Sequence, residues 1–317
     1  MSALWWTLIK SDTQRPAALS ALIERFAQRR PIRSTSLIIS LFGDVVTQHG
    51  GVIWLGSLVE ALGELGLDER LIRTSTFRLV KDGWLSSDRI GRRSFYSFSS
   101  SGRREYDRVA GRIYARHPAK WDGNWTLVLP LAVPDELKEP FRKTLRWQGF
   151  GVLATNVYAH PGSERAGLDD ALTELDLQDA AVVMNAGTDF QHSGRLLRDV
   201  LWHNWNLEAL ESRYRSFVAT YRPILSICDS ASLSALDAFS IRQMLVHDYR
   251  RVLLHDTDLP VELLPDDWPG IEARSLAADL YRAVAKGSVQ YIEQTLQSDS
   301  GLMPAVDADF WQRFSAT

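Results

Sequence analysis

Between Thr35 and Ser99 the chain lays out three amphipathic helical segments and then two strand-like runs joined through a glycine, and few folds accept that order. Thr35–Gln48 sets Leu37, Ile38, Leu41, Phe42, Val45 and Val46 at helical spacing. His49-Gly50-Gly51 stops it, because glycine readily takes the left-handed conformation that ends helices. After the apolar stretch Val52–Leu55, Ser57 reads as the cap of a helix whose inner face is Leu58, Val59 and Leu62. Asp68 reads as the cap of a third helix reaching about Asp82, which Gly83-Trp84 ends. The strands Trp84–Asp88 and Ser94–Ser99 follow, with Arg89-Ile90-Gly91-Arg92-Arg93 at the tip between them. A further helix starts near Ser101 and fades at His117-Pro118.

Helix, helix, helix, hairpin is the order of a winged helix-turn-helix. On a wheel turning about 100° per residue, Arg70, Arg73, Thr74, Arg78 and Lys81 of the third helix share one arc. Leu71, Ile72, Leu79 and Val80 fall mostly opposite, and Phe77 intrudes on the polar arc. By itself such an arc reads equally well as a solvated basic face. The hairpin tilts the reading towards nucleic acid. Arg89, Arg92 and Arg93 cluster at its tip, where they would reach phosphates or a minor groove while the helix enters the major groove. Ser75, beside Thr74, completes the expected set of DNA contacts.

Charge supports the same division. The net charge of −3 joins unlike parts: 18 Lys/Arg face 11 Asp/Glu up to His117, whereas 18 face 28 from Pro118 onward. A basic part that meets a polyanion and an acidic part with another task are implied. The 317 residues allow two or three domains. The expected division is an extension over 1–33, a winged domain over 34–117, a central module over 118–190 and a helical domain over 191–317. In the central module, strands at Trp125–Pro130, Val152–Tyr158 and Ala180–Asn185, the last read as buried, alternate with helices from Asp135 and over Leu168–Leu175. A small ferredoxin-like α+β layer fits that alternation. Helices are expected at Leu196–Asn206, Leu207–Tyr221, Leu233–Leu254 and Ile271–Leu296, so the whole is an α+β chain with an all-helical last third.

Catalytic signatures are missing. There is no P-loop, no Gly-x-Ser-x-Gly elbow and no His-Glu-x-x-His, and the seven histidines are scattered without metal-ligand spacing. The single cysteine, Cys228, excludes an internal disulfide framework. No apolar run is long enough to span a membrane, and Met1–Lys10 lacks the basic start of a signal peptide, so a cytoplasmic protein is expected. One downstream cluster stands out: Arg242, His247, Tyr249, Arg250 and Arg251 on one helix, with Trp268 in the following loop. Cations beside aromatics suit a ligand with phosphates at one end and an apolar ring at the other, although a structural role fits the bare pattern better.

Several segments, in order, resemble the PaaX family of phenylacetate-degradation transcriptional repressors. They are Gly50–Leu58, Glu69–Thr74, Phe77–Leu85, Arg89–Tyr96, Trp121–Trp125, Trp147–Gly151, and His247–Val252 leading into Leu259–Pro265. The resemblance implies a homodimeric repressor on a partly palindromic double-stranded operator, released by phenylacetyl-coenzyme A, with no cofactor and no catalytic activity. It also turns Arg242, His247, Tyr249, Arg250, Arg251 and Trp268 into candidates for the effector contacts, since coenzyme A carries phosphates that arginine suits. The central module of such proteins resembles small ferredoxin-like nucleases, which need an aspartate at the end of their first strand. Here that stretch reads Leu129-Pro130-Leu131-Ala132, so dimerisation or spacing is expected of the module instead of cleavage. The alternative reading is an enzyme, either nuclease-like or a thioesterase acting on an acyl-coenzyme A.

Overall fold

A computed structural model describes residues 15–29, 33–115, 121–162, 166–188, 190–230 and 233–314. The chain divides into two compact units, one of Met1–Arg116, Phe217–Arg251 and Ala273–Thr317, the other of His117–Ser216 and Val252–Glu272.

In the first unit, helix α1 (Ala17–Ala27) buries Leu19, Leu22 and Phe26. Helix α2 spans Ser34–Asp44 and is buried along almost its whole length. A separate turn of 3-10 helix, Val46–Gln48, completes the segment expected as one helix. Strand β1 (Ile53–Trp54) leads directly into α3 (Leu55–Gly63), so Ser57 sits inside the helix and caps nothing. Its hydroxyl instead accepts the backbone N–H of Gln297, 2.9 Å away. Asp68 does cap α4 (Glu69–Lys81), accepting the N–H of Leu71 at 2.9 Å. Ile72 and Leu79 turn inward, where α4 packs on α2 and α3.

Strands β2 (Leu85–Ile90) and β3 (Arg93–Phe98) pair antiparallel with Ile90 opposite Arg93, which leaves only Gly91 and Arg92 in the turn. Both strands therefore reach further into the arginine cluster than expected. Gly91 has φ 62°, the conformation that two-residue hairpin turns demand at their first position. β1 joins the other edge of β3, giving a three-stranded sheet. Helix α5 (Ser100–Tyr114) lays the Tyr106 ring across Gly43 of α2, where a β-carbon would collide with the ring at 1.9 Å.

The second unit begins with β4 (Asn124–Leu129), α6 (Asp135–Trp147), β5 (Gly151–Ala154), β6 (Val157–Pro161), α7 (Ala166–Glu174) and β7 (Val182–Gly187). Its sheet is antiparallel in the order β5-β6-β4-β7, the βαββαβ arrangement of ferredoxin-like folds. Val128, Phe141, Leu145, Phe150, Leu168 and Leu172 form its core. The strand expected over Val152–Tyr158 is a hairpin, turned at Asn156 with φ 57°. β7, expected to be buried, lies at the sheet edge with Val182 and Met184 exposed.

Four long helices follow: α8 (Phe190–Asn204), α9 (Leu207–Ser230), α10 (Ala235–Leu253) and α11 (Pro269–Thr295). α9 runs past the expected stop at Tyr221 and through Pro223, with Ile224 buried beyond it. The residues beyond Leu296 show no apolar periodicity that predicts an element. They form the short hairpin β8 (Gln297–Ser298) and β9 (Gly301–Leu302) and a 3-10 helix at Ala308–Gln312. This tail packs within the first unit: β8 meets β1, the Nδ1 of His49 bonds the Pro304 carbonyl at 2.8 Å, and Phe310 and Phe314 are buried. Among the described residues no helix is long and apolar enough to cross a membrane.

Candidate nucleic-acid interface

Side chains spaced three and four apart share one face of a helix, and on α4 that rule picks out Arg70, Arg73, Thr74, Phe77, Arg78 and Lys81. All six are exposed. The opposite face holds Ile72, Ser75, Thr76 and Leu79, all buried. Ser75 is therefore not on the stripe. One residue after Thr74 is a rotation of about 100°, which turns its hydroxyl inward. There it meets the Ser34 hydroxyl at 2.7 Å and ties α4 to the start of α2.

The cations on the stripe are held lightly. Arg73 bonds Glu69 at 2.7 Å and Arg78 approaches Asp82 at 3.5 Å, both pairs one turn apart and open to solvent. Pairs of that kind contribute about 0–1 kcal/mol and are readily exchanged for a phosphate. Arg89 and Arg92 stand exposed at the hairpin tip, and the Arg89 Nε–H donates to the nearby Gly91 carbonyl at 3.2 Å. Arg93 differs from them. Its guanidinium stacks over Trp54 at 4.6 Å and donates to Gln297 at 3.1 Å, which holds it against the body of the unit.

The arginines of α10 have the opposite setting. Arg242 is fully buried. Its Nε–H donates to Asp44 Oδ2 at 2.7 Å, Nη2 to the Asp44 carbonyl at 2.8 Å and Nη1 to Ser288 at 3.3 Å, while Phe310 lies under it at 4.6 Å. Asp44 Oδ1 accepts from Tyr114 at 2.8 Å, Tyr281 at 2.9 Å and Arg313 at 2.8 Å. Burial works against this carboxylate, but the charges of Arg242 and Arg313 outweigh it and hold its pKa below the usual range.

Two further bonds run along the same seam. His247 Nδ1 lies 3.3 Å from the Ser40 hydroxyl, and Arg250 Nη1 donates to the Ser36 hydroxyl at 3.3 Å. Ser36, Ser40 and Asp44, one turn apart on α2, thus meet Arg250, His247 and Arg242 in antiparallel order. Burial presses the His247 pKa down to about 3, so its imidazole is neutral. Arg250 is 7% exposed, its Nε–H has no hydrogen-bond partner among the described residues, and burial lowers its pKa. Arg251 is half-buried, and Tyr249 is buried with its ring 5.3 Å from that of Phe217. Trp268 belongs to the second unit, where it meets Tyr214 edge-on at 6.0 Å. Thus α10 gathers five of the six candidate effector residues, but it commits Arg242 to the core.

Asp44 escaped the sequence reading, although it left a signal: a lone acid ending a helix of apolar and hydroxyl residues, Leu37 to Phe42, in phase with Ser36 and Ser40. Arg313 and Phe310, which complete its surroundings, carried no such mark. Among the described residues no group of three His, Cys, Asp or Glu side chains is placed to hold a metal ion.

These features define a mixed helix-and-strand protein with a ferredoxin-like central domain, a helical C-terminal region and a cationic helix face on its N-terminal module. Three family models match it in succession: PaaX-like protein over residues 33–102, PaaX protein central Cas2-like domain over 118–197, and PaaX-like protein C-terminal domain over 205–294. The chain belongs to the PaaX family. It is 38% identical over 298 residues to the transcriptional repressor PaaX of Escherichia coli (strain K12), covering 93% of this chain and 94% of that one. The uncharacterized protein Rv0674 from Mycobacterium tuberculosis shares its fold, with a TM-score of 0.52 and 22% identity over 80% of this chain and 95% of that one.

Proposed function

We propose that this protein is a transcriptional repressor whose N-terminal module is a winged helix-turn-helix. In this reading α4 enters the major groove of double-stranded operator DNA and the β2–β3 hairpin lies along the adjacent backbone as the wing. The observation that carries it is the exposed stripe Arg70, Arg73, Thr74, Arg78 and Lys81 on the same module as a hairpin tipped by Arg89 and Arg92. A homodimer would present two such helices to a partly palindromic site. Phenylacetyl-coenzyme A is the releasing effector, and the protein acts without catalysis, in the cytoplasm where its DNA lies.

Arg250 supports the effector reading. A guanidinium that stays charged, is nearly buried and, among the described residues, bonds one hydroxyl is a natural place for a phosphate of the ligand. Half-buried Arg251 lies next to it. Because α2 bonds Arg250 through Ser36 and α4 through Ser34, a ligand that favours a shifted α2 would also shift the recognition helix. Release then follows from unequal affinity for the two arrangements.

A mobility-shift titration on duplexes enriched from a randomised pool tests the reading, followed by addition of phenylacetyl-coenzyme A, coenzyme A and phenylacetate separately. The expected result is sequence-selective binding, reversed by the phenylacetyl thioester alone. Failure to enrich any sequence would overturn the repressor reading. Steady production of free thiol from the thioester would make the protein an enzyme instead.

A further inference from the structure

Phe77 is the anomaly of the cationic stripe. It is 71% exposed, while its neighbours one turn away and alongside are Arg73, Thr74, Arg78 and Lys81, all exposed. Among the described residues its ring meets no other ring and no cation. The helix does not need it for its core, since Ile72 and Leu79 occupy the inner face. Nor is it at the margin of the stripe: residues 70, 73 and 74 precede it and 78 and 81 follow, so it stands at the centre. An isolated phenyl group flanked by three cations and a threonine calls for a partner that is anionic around a small apolar spot.

The major groove of DNA has that pattern. Phosphates line its rims, and the C5-methyl of thymine projects from its floor. We infer that Phe77 is a base-reading residue of this protein and that the feature it reads is a thymine methyl group. This rests on the assignment of α4 to the major groove. In such a complex the arginines and Lys81 engage phosphates or base edges on either side, and the ring closes over the methyl and removes both from water. Burial of one methyl group corresponds to about a fourfold gain in affinity. An anionic membrane surface would also accept cations beside an aromatic ring, but a single phenyl group offers little area for insertion.

The experiment uses the full chain and a duplex enriched from a randomised pool. Each thymine of the enriched site is replaced in turn by deoxyuridine, which lacks only the methyl group. Wild-type protein should lose about fourfold in affinity at one position, or at a symmetry-related pair, and much less elsewhere. Phe77→Ala should bind the unmodified duplex correspondingly less well and show no difference between thymine and deoxyuridine at that position. Its thermal unfolding and the salt dependence of its DNA binding should match wild type, because an exposed ring and no cation has been removed. Enrichment of a sequence without any deoxyuridine effect, or an effect that persists unchanged in Phe77→Ala, would overturn the inference while leaving the repressor reading intact. Failure to enrich any sequence would overturn both. Co-sedimentation with phosphatidylserine vesicles that Phe77→Ala abolishes, without a deoxyuridine effect, would assign the stripe to a membrane instead.

Discussion

Helices α4 and α10 both carry arginines that are candidates for phosphate contact, those of α10 through the family resemblance, yet the fold sets Arg242 and the α4 arginines in opposite ways. On α4 the guanidinium groups stand in water, paired at most with an acid one turn away. On α10 Arg242 lies at the bottom of the core, with a carboxylate, a carbonyl and a hydroxyl as acceptors. The first arrangement costs little to open, so it is available to a partner. The second is costly to disturb, because removing one member strands a buried charge. A cationic helix is thus an interface or a structural clamp according to what lies across from it.

The largest test of this contrast is Asp44→Ala. It should lower folding stability by about 3–5 kcal/mol in urea unfolding, because Arg242 and Arg313 lose their common carboxylate. A loss below about 1 kcal/mol would mean that the α10 seam is no clamp. On the other side, Arg70→Ala and Arg73→Ala should each weaken operator binding by about 1–3 kcal/mol in a mobility-shift titration. Their unfolding should stay within about 0.5 kcal/mol of wild type, as for other exposed positions. A matching loss of stability would erase the distinction between the helices.

Acid sharpens the comparison further. His247 has a folded pKa of about 3 against about 6.5 when unfolded, so the unfolded chain takes up its proton first as pH falls. The stability it contributes is complete above about pH 6.5 and is lost progressively down to about pH 3, by at most about 1.4 kcal/mol per unit. Urea unfolding at a series of pH values should therefore show a shallower slope between pH 6.5 and 5 for His247→Gln. Buried His49, also lowered chiefly by desolvation, will leave part of the slope in place. An unchanged slope would remove His247 from the seam. The smallest effect is expected at the hairpin tip. Arg92→Ala should leave unfolding unchanged and reduce the salt dependence of DNA binding by about one phosphate contact.

Much of this was legible from periodicity. The stripe on α4, its cap at Asp68 and the glycine-tipped hairpin follow from rules that reach only a few residues along the chain. The same rules placed the helices of the last third to within a turn at most ends. They failed where the deciding contact was elsewhere. Ser57 looked like a cap because a serine before an apolar run commonly is one, but its partner is Gln297. For Arg242 the bare pattern favours a structural role and only the family resemblance makes it a ligand candidate, and nothing local could name its partner, Asp44, 198 residues away. The tail beyond Leu296 had no repeat of apolar residues to announce it, and only the surface it lies on makes Phe310 and Phe314 core residues.

By itself, then, the sequence determined which side chains share a helical face, where most elements start and stop, and that a cationic surface precedes an acidic remainder. Local sterics, capping and amphipathic spacing are enough for that. Tertiary structure alone decided which arginines keep their water and which surrender it, that the buried Ser75 hydroxyl meets Ser34 of α2, and that Arg250 is nearly buried beside the Ser36 hydroxyl. Desolvation depends on everything packed around a group, and that information is spread over the whole chain.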